Sequence, residues 1–122
     1  MNTTEKGKWG EQLALDFLKD KGYMLIKKNF RSRFGEIDLI MKNNEYIIFV
    51  EVKLRKNSNY AQAREFVSHQ KQEKMRTTAN LWLTGNLSRK INSEKEHQPR
   101  FDVIEIYTTG NPPEIIHIEN AF

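Results

Sequence analysis

Apolar and polar positions along this chain follow two kinds of repeat. In the opening segment Trp9, Leu13, Ala14, Phe17 and Leu18 recur at helical spacing and form one apolar face. The spacing predicts a helix that begins at Thr4, as N-cap, and stops at Gly22. Beyond it, Tyr23 to Phe30 reads as extended, with Tyr23, Leu25 and Ile26 toward a core. Arg31 to Gly35 reads as a basic turn, and Glu36 to Met41 as a strand. Lys42-Asn43-Asn44-Glu45 supplies residues that tolerate left-handed backbone. Tyr46 to Leu54 is the most apolar run, and its Ile, Val and Phe content marks a strand near the centre of a sheet. These last two strands make a hairpin. Asn57 to Tyr60 reads as a loop. Ala61 to Thr84, free of Pro and Gly and closed by Gly85, reads as a second helix carrying Phe66, Val67, Met75, Ala79, Leu81 and Trp82. Ser88 to Pro99 is hydrophilic and reads as a loop. Arg100 to Tyr107 alternates as a strand, and Glu114 to Ile118 adds a short edge strand after Pro112-Pro113. The order α-β-β-β-α-β predicts an α/β fold with a central mixed sheet flanked by helices.

The hairpin brings charge into an apolar strand. Side chains alternate along a strand, so Glu36, Asp38 and Ile40 share one face of the first strand, Ile47, Phe49, Glu51 and Lys53 share one face of the second, and both sets land on the same side of the sheet. With Asn43 and Asn44 at the tip, Met41 would pair with Tyr46, Asp38 would face Phe49, and Glu36 would face Glu51. Asp38 and Glu51 then become diagonal neighbours, their Cβ atoms about 7 Å apart or less. Desolvating a charge costs several kcal/mol even after relaxation, against a whole-domain stability of about 5–15 kcal/mol. A strand selected for stability alone would carry apolar residues there. Glu51-x-Lys53 is the only acid-x-Lys in the chain, and it sits on the most apolar strand. Glu11 borders the apolar face of the first helix and is placed to point toward the same acids. Clustered carboxylates form a hard-oxygen site that suits magnesium or manganese. A bound ion polarises a phosphodiester and lowers the pKa of its water, and Lys53 is positioned to orient that water or to stabilise charge on the phosphate. The competing reading is a set of salt bridges at a strand end.

Charge distribution points to the same partner. The net charge is +4, with residues 27–90 carrying eight Lys, six Arg and six acids. The basic middle favours a polyanion, nucleic acid being the commonest. A length of 122 residues suits one domain, residues 1–122. There are no cysteines, which excludes disulfides, thiolate zinc sites and cysteine nucleophiles. No apolar run reaches the ~20 residues of a membrane span, and the opening segment lacks the apolar stretch of a signal peptide, so a cytoplasmic, membrane-free protein is expected.

Gly35-Glu36-Ile37-Asp38-Leu39-Ile40, with Phe49-Val50-Glu51-Val52-Lys53 and Arg55, closely resembles the bacterial YraN-type family. That family looks like a branch of the restriction-endonuclease-like PD-(D/E)xK superfamily. Gly10-Glu11, Ala14, Gly22-Tyr23, Asn29-Phe30-Arg31 and Arg100-Phe101-Asp102-Val103-Ile104 extend the resemblance over roughly residues 7–106. The layout is also similar to archaeal Holliday-junction resolvases. The resemblance implies a restriction-endonuclease-like core and a magnesium- or manganese-dependent endonuclease acting on DNA, branched or single-stranded forms included. It implies Asp38 and Glu51 as metal-binding acids, the Val52 carbonyl as a further ligand, Lys53 as the catalytic lysine, Glu11 as an auxiliary acid and Lys71 as a basic residue near the site. Ile37 stands where the superfamily pattern has Pro. Junction-cutting relatives work as dimers, which leaves a homodimer open, with Trp82 or the apolar tail as candidate surfaces.

Arg31, Arg33 and Arg55 are candidate phosphate contacts, with Lys27, Lys28 and Lys56 beside them. Phe34 and Tyr60 are placed either to stack on bases or, the favoured reading, to pad the core. His69, His97 and His117 show no metal-ligand spacing and read as surface residues. Trp9 and Trp82 read as core. Asp102 reads as an ordinary hydrogen-bond or salt-bridge partner within its strand, and Glu36 is ambiguous. The rival function is a non-catalytic nucleic-acid-binding module with the same fold; a scaffolding role would predict neither metal nor nucleic-acid affinity.

Overall fold

The computed structural model describes residues 1–56, 67–85 and 97–122. Helix α1 spans Thr3–Asp20 and is capped by Asn2, whose side chain accepts from the Glu5 N–H at 2.8 Å. The cap is therefore Asn2 rather than Thr4, since Asn presents its oxygen to the first-turn amides equally well. The helix stops as expected. Gly22 turns left-handed (φ 97°), its N–H reaches Lys19 O, and Tyr23 N–H reaches Leu18 O at 3.0 Å. This pair of bonds satisfies the last carbonyls of the helix.

Five strands follow in a mixed sheet of order β1-β2-β3-β4-β5. Strand β1 (Met24–Ser32) pairs antiparallel with β2 (Gly35–Lys42), which pairs antiparallel with β3 (Tyr46–Arg55). Strand β3 lies parallel to β4 (Gln98–Tyr107) over ten residues, and β5 (Glu114–Ile118) closes the far edge antiparallel to β4. The connection between the two parallel strands contains α2 (His69–Leu83), capped by Ser68. The α/β class and the mixed sheet are as expected, and the arrangement is compatible with a restriction-endonuclease-like core.

Several boundaries differ from expectation. Arg31 and Ser32 belong to β1 rather than to a turn, because they pair with Glu36 and Gly35. The second helix starts at His69, not Ala61; its N-cap Ser68 is extended, and residues 57–66, with Tyr60 and Phe66, lie outside the described residues. Gln98 and Pro99 already belong to β4, while residues 86–96 lie outside the described set. Pro99 is tolerated because β5 begins its pairing only at Val103.

The two helices cover opposite faces of the sheet. Ala14, Leu15 and Leu18 of α1 pack with Leu39, Met41, Ile48, Val50, Ile104 and Ile106. Ala79 and Trp82 of α2 pack with Ile37, Ile40, Ile47 and Phe49. Residues 47 to 50 alternate cleanly between these two clusters, as a strand buried on both faces must. Trp9 packs partly buried beside the first cluster and Trp82 is buried in the second, so both tryptophans lie in the core as expected. Phe34 does not; it is 39% exposed at the β1–β2 turn with the Arg33 guanidinium over its ring.

Candidate functional site

The site forms where β2 and β3 part. Their ladder runs from Lys42↔Ile47 to Leu39↔Val50 and ends there. The pairing differs from expectation by two residues on the β3 side: Met41 faces Ile48 rather than Tyr46. Asn43 Oδ1 accepts from the Glu45 and Tyr46 amides, and Asn43 N–H donates to Tyr46 O. The Asn43 side chain thus accepts where a backbone carbonyl otherwise would, and Asn44 and Glu45 alone lie between Asn43 and Tyr46. Continuing the observed register places Asp38 opposite Glu51, rather than diagonal to it. Pairing to β1 also lapses at Asp38, whose opposite residue, Asn29, has φ 51°. In place of a ladder bond, the Val52 N–H donates to Asp38 Oδ2 at 2.8 Å.

Around this fork four charged side chains gather. Glu51 is buried, with 6% exposure, and Lys71 from the first turn of α2 hydrogen-bonds its Oε1. Lys53 Nζ lies 3.9 Å from the same oxygen. Burial pushes the Asp38 carboxyl up to about 7, and the neighbouring Glu51 charge adds to the rise. The Val52 amide opposes that shift, while the charges of Glu11 and Glu36 reinforce it. Glu11 therefore acts on Asp38 from α1 as an electrostatic neighbour. Among the described residues, no three His, Cys, Asp or Glu side chains are grouped to hold one ion. The oxygens available as a set are the carboxylates of Asp38 and Glu51 and the adjacent backbone of β3. Two hard-oxygen acids, one of them raised into the neutral range by burial and further by the charge of the other, suit a divalent cation of the magnesium or manganese type.

Residues 10–106 match the family model described as "Uncharacterised protein family UPF0102". The chain belongs to the UPF0102 family. A UPF0102 protein of Thermodesulfovibrio yellowstonii is 41% identical over 122 residues, covering 100% of this chain and 99% of the relative. A UPF0102 protein of Persephonella marina is 42% identical over 96% of this chain and 92% of its own length. One from Legionella pneumophila is 38% identical, over 98% and 96% respectively. The YraN-type resemblance and this membership agree.

The basic candidates of this UPF0102 chain go to different places. Arg31 is largely exposed and lies 3.5 Å from Glu36, and Arg33 is exposed at the turn. Arg55 is turned inward instead, its Nε donating to buried Glu105 at 3.2 Å. Glu105 itself pairs with Lys53 across the parallel ladder and so shares the face of Glu51. Sequence reasoning missed Glu105 as a neighbour of the site; its place in the alternation of Val103, Glu105 and Tyr107 was the available signal. It also missed the Val52 amide, which only the parting of two strands makes available to a side chain.

Asp102 belongs elsewhere. It is fully buried and binds Arg100 through two bonds of 2.8 and 2.7 Å, His117 Nε2 at 2.7 Å and the Asn120 N–H at 3.1 Å. Burial pushes its carboxyl up, but these bonds outweigh burial and hold it below the ordinary value. His117, with a side chain 3% exposed, is thus a buried structural partner rather than a surface residue. Lys21 Nζ donates to its Nδ1 at 2.7 Å, which continues the network to the end of α1. Among the described residues no helix is long and apolar enough to cross a membrane.

Proposed function

We propose that this UPF0102 protein is a divalent-metal-dependent nuclease-like protein that hydrolyses phosphodiester bonds in DNA. The observation that carries the reading is the Asp38–Glu51 pair at the strand fork, with two lysines at Glu51 and the Asp38 carboxyl raised to about 7. Asp38, Glu51 and the Val52 carbonyl would hold magnesium or manganese. When bound, such an ion polarises the phosphodiester and acidifies a water. Lys53 sits two residues from Glu51 on the same face of β3 and orients the attacking water or offsets charge on the phosphate. Lys71 anchors Glu51 from the α2 side, and Glu11 tunes Asp38 through its charge. The Val52 N–H fixes the Asp38 carboxylate through Oδ2, which leaves Oδ1 to serve an ion.

The test is cleavage of linear, branched and single-stranded DNA with magnesium or manganese. Asp38→Ala and Glu51→Ala are expected to abolish cleavage while circular dichroism stays native. Absence of cleavage by the wild-type protein on all three substrates sinks the enzyme reading. A non-catalytic nucleic-acid-binding module is the second reading, and one observation favours it: Lys53 and Lys71 already neutralise Glu51 without an added ion. It predicts salt-sensitive binding with no heat of manganese binding. A manganese isotherm that vanishes in Asp38→Ala separates the two.

A further inference from the structure

A second concavity lies on the same side of the sheet, beyond the fork. It is a groove of about 500 Å³ between β1 and the C-terminal end of α2, lined by Lys27, Phe30, Arg31, Leu81 and Trp82 among others. Its size falls in the range of small-ligand sites. Its lining combines two features that rarely serve the core together. Leu81 is 44% exposed, a large apolar side chain left in solvent. Lys27 and Arg31 are exposed cations on the neighbouring edge strand. A bulge at Ile26 brings Lys27 to this face: Lys27 pairs with Ile40, and Ile26 and Ile40 both pack in the α2-side cluster. Trp82 lines the groove and is 4% exposed, and its indole Nε1 is buried without a hydrogen-bond partner. An apolar, partly aromatic lining rimmed by cations complements a flat base joined to a phosphate.

We infer that this groove seats an unpaired nucleotide of a nucleic-acid strand, so that the fork site acts on single-stranded or branched substrates. The inference rests on the nuclease-like reading for the role of the fork, but not for the binding itself. Position supports it. Arg31 pairs with Glu36, and Glu36 also lines the smaller groove beside Lys71 and Lys74 at the N-terminal end of α2. The edge strand β1 lies two strand spacings from β3, or about 10 Å. A strand whose backbone passes the fork therefore has basic side chains on its way to the groove. A base inside an intact duplex cannot leave its stack without an unpairing cost, so the groove favours strands already open.

The experiment measures binding of a labelled oligothymidylate and of a duplex of equal length by fluorescence anisotropy, in EDTA so that no strand is cut. Trp9→Phe leaves Trp82 as the remaining tryptophan and allows its emission to be followed. Expected are preference for the single strand by about tenfold and a change in Trp82 emission on binding. Leu81→Glu is expected to remove most of that preference. Lys27→Ala with Arg31→Ala is expected to lower the salt slope by about two. Equal affinity for both DNAs, or wild-type single-strand binding by Leu81→Glu and by the Lys27/Arg31 double variant, overturns the inference. So does binding of anionic vesicles in place of oligonucleotides. Single-strand binding at the groove without metal-dependent cleavage upholds the groove and rejects the nuclease reading.

Discussion

Asp38 carries an electrostatic penalty that Asp102 does not, and the two acids predict opposite pH behaviour. The Asp38 carboxyl is raised from 3.8 to about 7, so between those values the folded state holds a proton that the unfolded chain has lost. Stability attributable to Asp38 therefore falls as pH rises through that window and stays low above it. Asp38→Asn, which still accepts from the Val52 amide, is expected to be more stable than wild type at pH 8 by about 1–3 kcal/mol. The difference should vanish near pH 4; urea denaturation at several pH values checks it. For Asp102 the sign reverses, because its folded carboxyl lies below 3.8. Its contribution is present above that value and is lost as pH falls through the lowered one. Asp102→Ala leaves Arg100 buried without its partner and is expected to cost about 3–5 kcal/mol at neutral pH. The acid limb of the wild-type stability curve should flatten in that variant.

At the scale of the elements, Gly22 offers the sharpest test. Its φ of 97° lies where a Cβ is strained, so Gly22→Ala is expected to cost about 1–2 kcal/mol by loosening the end of α1, with little effect on the fork. Thermal denaturation checks the first part and manganese binding the second. The strands and their order were legible because hydrophobic period and turn residues report local structure. Glu51 and Lys53 stood out for the same reason, as charges inside an apolar strand. The register of the hairpin was not legible, since it depends on where the Asn43 side chain hydrogen-bonds rather than on which residues favour turns. Nor was the burial of His117, which is set by Asp102 and Lys21, partners 15 and 96 positions away. Arg55 followed the same pattern, because its acid partner lies on the parallel strand 50 residues on.

Across the whole molecule, the sheet is covered on both faces, and its buried residues leave little freedom for the fork to relax. If the fork holds an ion as proposed, binding to such a prearranged pair adds to global stability by mass action. With free manganese about a hundredfold above Kd, the gain is expected near ~2.7 kcal/mol. Chelation should remove it, and Asp38→Ala should show none; melting curves with and without EDTA decide the matter. The stabilisation by manganese and the pH penalty of Asp38 should then prove to be one property, since a cation that neutralises the pair abolishes the cost of ionising it.

The Val52 amide gives this molecule an internal indicator. Its proton is held by a titrating carboxylate, where a strand interior ordinarily offers a carbonyl whose charge never changes. In a 15N–1H spectrum its resonance should therefore move with the ionisation of Asp38 and shift again when that acid is occupied. One backbone signal would report the state of the fork with no substrate added.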